Sequence, residues 1–156
     1  MRRYVLPLLT GFLLLIAAGV QADMGDSSDN PWNQQANPQQ VTADYQAGYQ
    51  ALQAGDYKVA IKAFKRVLQA NPQHAMAYTN MAYAYRKLGK YKKAIKLYKK
   101  ALKLEPNLAE AHEYIGEAWL ALGKIDKAKE HLNILEKLNP KLAGELRDEI
   151  ARREQS

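Results

Sequence analysis

The 156-residue chain has no cysteine, which excludes a disulfide-stapled fold, thiolate metal sites and a cysteine nucleophile in any redox compartment. Histidine is scarce. His74, His112 and His131 are 38 and 19 residues apart, and none has a second histidine one helical turn away. A multi-histidine metal site would need most of them to converge, so no metal is expected. His112 falls on a core stripe and reads as a hydrogen-bonded interior residue. No phosphate-binding glycine loop occurs, since the glycines fall at turn and packing positions. Without a paired nucleophile and base or a site for a cofactor, the sequence argues against an enzyme.

Long apolar runs are also missing beyond the front of the chain. Met1-Arg2-Arg3 gives a positive start, Tyr4 to Val20 is apolar apart from Thr10, and Val20-Gln21-Ala22 places small residues where a leader is cut. Residues 1–22 therefore read as a cleavable signal peptide. Pro7, Gly11 and the Val-Gln-Ala site favour cleavage after Ala22 over retention as a signal anchor. The rest has no stretch long enough to span a bilayer, which predicts an exported protein with no transmembrane segment once mature. Residues 23–40 hold three Asp, no Lys or Arg and little that is apolar apart from Trp32. Such a segment buries too little surface to offset its ordering entropy and reads as a disordered acidic leader.

Positive charge is abundant. The net charge is +7; Arg2 and Arg3 supply two of these, leaving +5 on the mature chain, and without the leader's Asp23, Asp26 and Asp29 residues 41–156 carry +8.

From Val41 onward the chain repeats. Gly55, Gly89 and Gly123 are spaced by 34 residues, as are Ala60, Ala94 and Ala128, and Pro72, Pro106 and Pro140. Three series with one period define a repeat protein. Within each unit apolar residues recur at steps of three and four, for example Tyr78, Met81, Ala82 and Tyr85, then Tyr91, Ala94, Ile95, Tyr98 and Leu102. Glycine lets the chain reverse between the two series, and proline ends the second. Each unit is predicted to be a helix-turn-helix, spanning 41–74, 75–108 and 109–142. Gly48, Ala82 and Gly116 are expected where the first helices approach a neighbour closely. Leu142, Leu146 and Ile150 mark an amphipathic helix over 143–156 that caps the apolar face of the last unit.

The pattern Gly48…Gly55-Asp56-Tyr57…Ala60…Phe64…Leu68…Pro72, with its two echoes, resembles the tetratricopeptide repeat. The run Ala84 to Tyr91 followed by Glu113 to Glu117 is similar to small exported bacterial members of that family. The resemblance implies an all-α, right-handed α-solenoid of three repeats plus a capping helix. Its first helices would line a concave groove that binds a peptide or protein partner without chemistry, here in the bacterial periplasm.

On that implied fold, the residues pointing away from the core stripe form the candidate groove: Tyr45, Tyr49 and Leu52 in the first unit, Thr79, Asn80, Tyr83, Arg86 and Lys87 in the second, Glu113, Tyr114, Glu117 and Leu120 in the third. Bulky aromatics on an open side suit binding centres. The pair Glu113 and Glu117, one turn apart, suits a cation or a basic peptide. Some tetratricopeptide domains clamp a peptide's terminal carboxylates through Lys, Asn and Arg. Here only Asn80 fits that pattern, while Tyr45, Tyr49, Glu110 and Tyr114 stand at the other places. The competing surface is basic: Lys62, Arg66, Lys92, Lys93, Lys96, Lys99, Lys100 and Lys103 on the outer helices would attract anionic lipid, polymer or acidic protein. Nucleic acid is disfavoured by the export signal and by the lack of base-stacking aromatics among these lysines.

Overall fold

The computed structural model describes residues 37–155. The expected signal peptide and most of the leader, with Trp32, lie outside them. Seven helices follow one another: α1 (Pro38–Gln53), α2 (Tyr57–Ala70), α3 (Ala75–Lys87), α4 (Tyr91–Leu104), α5 (Ala109–Ala121), α6 (Ile125–Leu138) and α7 (Pro140–Glu154). They pair as α1/α2, α3/α4 and α5/α6, with α7 against α5 and α6. Among the described residues, none of these helices is long and apolar enough to cross a membrane.

The reversals within pairs depend on glycine. Gly55, Gly89 and Gly123 have φ of 78°, 71° and 68°, in the left-handed region that other residues enter at a cost. Just beyond each, the amides of Asp56, Lys90 and Lys124 donate back to the carbonyls of Ala51, Tyr85 and Trp119 at 2.8 to 2.9 Å, so carbonyls at the end of the first helix are satisfied.

Two helix starts differ from the sequence expectation. α1 begins at Pro38, inside the segment read as leader, and α7 begins at Pro140 rather than after Leu142. In both, an asparagine precedes the proline and its side chain accepts from amides of the first turn: Asn37 from Gln39, and Asn139 from Lys141 and Leu142. A proline stops a helix behind it but is well placed in the first turn ahead, where its missing N–H is not needed.

The core runs the length of the stack. Phe64 and Tyr98 are fully buried and Leu132, at the same place one unit on, nearly so; Ala60, Ala94 and Ala128 are sealed beside them. A Cβ at Gly48 would lie 2.8 Å from the Phe64 ring, and one at Gly116 would lie 2.6 Å from Leu146 Cδ2. These two glycines set how closely the helices approach.

Successive first helices touch one another, α1 with α3, α3 with α5 and α5 with α7, while α2, α4 and α6 do not touch each other. The first-helix layer is therefore continuous and the second-helix layer splayed. That curvature makes an α-solenoid whose concave side is lined by α1, α3 and α5.

Candidate peptide-binding groove

The concave side holds a cup of about 220 Å³ formed by Tyr49, Leu52 and Gln53 of α1, Asn80 and Tyr83 of α3, and Tyr114 of α5. Five of these residues, Tyr49, Leu52, Asn80, Tyr83 and Tyr114, belong to the groove read from the sequence; Gln53 does not, and Thr79 and Leu120, expected on the same face, are buried instead. Tyr49 is 48% exposed, unusual for so large a ring. Tyr83 and Tyr114 close the far wall with centroids 5.2 Å apart and planes tilted by 58°.

Tyr45 departs from the expectation of an open aromatic. Its ring stacks on His74 at 4.9 Å and meets Phe64 edge-on at 5.7 Å, while its hydroxyl accepts a 2.9 Å hydrogen bond from Asn80 Nδ2. Burial raises its pKa. It is a strut between α1 and α3, and it fixes the Asn80 amide that lines the cup.

Arg86 is not a free cation either. Its guanidinium carbon lies 5.0 Å from the Tyr83 centroid and 5.1 Å from that of Tyr114, and Nη1 pairs with Glu117 Oε2 at 2.5 Å. Its side chain is mostly buried, so the charge is spent on ring faces and a carboxylate. Lys87, the next residue, is exposed.

Glu113 lies deeper than a groove-lining residue should, with only 7% of its surface exposed. Its carboxyl makes no hydrogen bond or ion pair among the described residues. Burial, then the nearby Glu117 and Glu145, push its pKa up to about 7, against a smaller opposing pull from Arg86. Glu117 is also raised, chiefly by burial. The sequence placed both carboxylates on one helix face but gave no sign that α7 would bring Glu145 beside them.

The outer face is less free than its lysine count suggests. Arg66 donates to Asp44 Oδ1 through Nε at 2.8 Å and Nη2 at 2.6 Å, and this hydrogen bonding lowers the Asp44 pKa. Its charge is paired with Asp44, although more than half of its side chain stays exposed. Lys93 lies over Tyr85 at 4.4 Å, Lys99 over Trp119 at 5.7 Å and Lys100 over Tyr78 at 5.5 Å. Lys62, Lys92, Lys96 and Lys103 are exposed.

One convergence was not visible from residue spacing. His112, only 5% exposed, sits with Nδ1 3.0 Å from His131 Nδ1 and Nε2 2.9 Å from the Pro106 carbonyl. The arrangement is satisfied when His112 donates from Nε2 and His131 donates to His112 Nδ1. Burial, with the charges of His112 and Lys99, lowers the His131 pKa to about 4. Among the described residues no cluster of three or more metal-ligating side chains occurs.

Two models of the tetratricopeptide repeat match the chain, over residues 45–108 and 86–147, together more than half of its length. No curated protein shows significant sequence similarity to it. Among solved structures, the chain is similar to the first tetratricopeptide domain of Spaghetti (RPAP3) bound to the HSP90 peptide SRMEEVD, with 26% identity, a TM-score of 0.70, and 78% of this chain and 98% of that chain covered. It is also similar to the second such domain of human RPAP3 in complex with the HSP70 peptide SGPTIEEVD, with 29% identity, a TM-score of 0.68, and 72% of this chain and 96% of that chain covered. The turn glycines, the paired helices with their continuous inner layer and these matches place the chain in the tetratricopeptide repeat family.

Proposed function

We propose that this protein is a non-catalytic adaptor or assembly factor of the bacterial envelope that binds a peptide or protein segment in its concave groove. The observation that carries the reading is the cup of Tyr49, Leu52, Asn80, Tyr83 and Tyr114. Rigid aromatics with polar tips supply large contact area at low entropic cost, which is how binding centres are commonly built. Two structural neighbours are solved with short peptides bound, so the fold is suited to the task. Export rests on Met1-Arg2-Arg3, the apolar run and Val20-Gln21-Ala22.

A second reading rests on the exposed Lys62, Lys92, Lys96 and Lys103, whose field would draw the protein to anionic lipid, polymer or acidic protein. The two readings separate in one experiment. Capture of partners from envelope extract by the protein, by Tyr49→Ala plus Tyr83→Ala, and by Lys96→Glu plus Lys99→Glu gives opposite patterns. Groove binding predicts loss of captured partners with the tyrosine pair and retention with the lysine pair. Unchanged capture by the tyrosine pair contradicts it.

A further inference from the structure

The two neighbouring domains hold peptides that end in Glu-Glu-Val-Asp. The third-unit end of the concave surface here carries carboxylates, the same sign of charge as those peptides. Its one buried cation, Arg86, is held by Glu117 and by the faces of Tyr83 and Tyr114. Beside that pair lies Glu113, more than nine-tenths buried and without a hydrogen bond or ion pair among the described residues, its carboxyl oxygens not fully sealed from water. A buried carboxyl without a partner is costly, and a cation brought to it would relieve that cost. Arg86 ties the two places together: its guanidinium lies against the Tyr83 and Tyr114 rings that wall the cup, and its charge acts on Glu113, which does not itself line the cup.

We infer that the groove recognises a lysine or arginine side chain at Glu113, next to an apolar side chain seated in the tyrosine cup. The inference rests on the groove reading above and specifies its ligand as a cationic segment rather than a terminal carboxylate. The groups facing Glu113 bear this out from each helix. Glu110 and Glu117 lie on α5 itself, Glu145 approaches from α7, and the opposing charge near Glu113 among the described residues is Arg86 of α3, already paired with Glu117. Glu149 of α7, which also faces Glu117, is engaged by Arg152 and Arg153. Lys87 of α3 faces Glu117 as well but is exposed to water. An incoming ammonium or guanidinium would favour the ionised form of Glu113, so binding should strengthen as pH rises through neutrality.

The probes are acetylated, amidated Gly/Ser heptapeptides in which one Phe is followed, one to three residues later, by Lys, Gln or Glu. The full chain is titrated with each while the amide resonances of Tyr49, Tyr83 and Tyr114 are followed. The expected result is that the best Lys peptide binds about tenfold more tightly than its Glu counterpart at pH 8, with Gln between, as expected of a desolvated charge contact. The Lys advantage should shrink about tenfold at pH 6, because a carboxyl titrating near 7 is then mostly protonated. Glu113→Gln should bring the Lys peptide to the affinity of the Gln peptide. Glu peptides binding as tightly as Lys peptides, or a Lys preference that survives Glu113→Gln, would overturn the inference and leave the groove reading standing. If no peptide moves the three tyrosine resonances, the groove reading fails and the inference fails with it.

Discussion

The first and third repeats place different chemistry at the same positions. Asp44, Tyr78 and His112 are equivalent, one unit apart, and so are Arg66, Lys100 and Ile134. In the first unit the two positions make an ion pair, Asp44 with Arg66. In the second they make a cation over a ring, Lys100 over Tyr78. In the third Ile134 offers nothing polar, and His112 turns to His131 and the Pro106 carbonyl instead. The groove side diverges likewise at Tyr45, Thr79 and Glu113. Tyr45 is bonded to Asn80, and Thr79 donates to the carbonyl of Ala75, but Glu113 has no such partner among the described residues. The backbone repeat decides which side chains meet. The side chains decide whether a position is closed as structure or left with unmet valence. The first unit is closed at these places; the third keeps a carboxyl that is held above its usual range and an imidazole held below it.

The largest expected effect concerns what closes the third unit. Leu146 of α7 is buried against Gly116, as Phe64 is against Gly48. Leu146→Ala should lower stability in urea unfolding by about 3 kcal/mol, in the range for a buried leucine, with loss of helical signal from the C-terminal end. A change within error would mean that α7 rests on the stack without contributing to it.

Next in size is the response to pH. Glu113 titrates near 7 in the folded chain against an ordinary 4.5, so the unfolded state releases its proton first and stability falls as pH rises from about 4.5 to 7. Glu113→Gln should therefore be more stable than the parent at pH 8, by about 2 kcal/mol, with the gap closing toward pH 4.5. A variant that is less stable at pH 8 would assign Glu113 a structural partner.

The smallest effect is a slope. His131 titrates near 4 against an ordinary 6.5, so the unfolded state takes up the proton first and stability falls as pH drops from 6.5 toward 4. The two trends oppose each other between about 4.5 and 6.5. His131→Leu, the residue that the second unit has at Leu97, should remove the acid-side loss and expose the Glu113 trend in melting curves. Parallel curves for parent and variant across that range would contradict this account.

Much of the scaffold was legible in the sequence because it depends on local chemistry repeated every 34 residues. The turn glycines, the small packing residues and the apolar steps each act within a few residues of themselves. The helix starts at Pro38 and Pro140 are less legible because proline acts in two directions, ending a helix behind it and opening one ahead when an asparagine caps it. The groove was legible as a face but not as a charge distribution. Arg66 is compensated by Asp44, 22 residues away, Arg86 by Glu117 in the next unit, and His112 meets His131 across a helix pair. Such pairs depend on how neighbouring units stack, and no single helix pattern contains them.

The central claim, that the concave tyrosine cup grips another molecule, is tested most directly by photocrosslinking in intact cells from a photoreactive phenylalanine placed at Tyr49, at Tyr83 or at Lys96. The account predicts discrete protein adducts from positions 49 and 83 and none from 96. Adducts from Lys96 alone, or a groove that crosslinks only to its own chain, would contradict it.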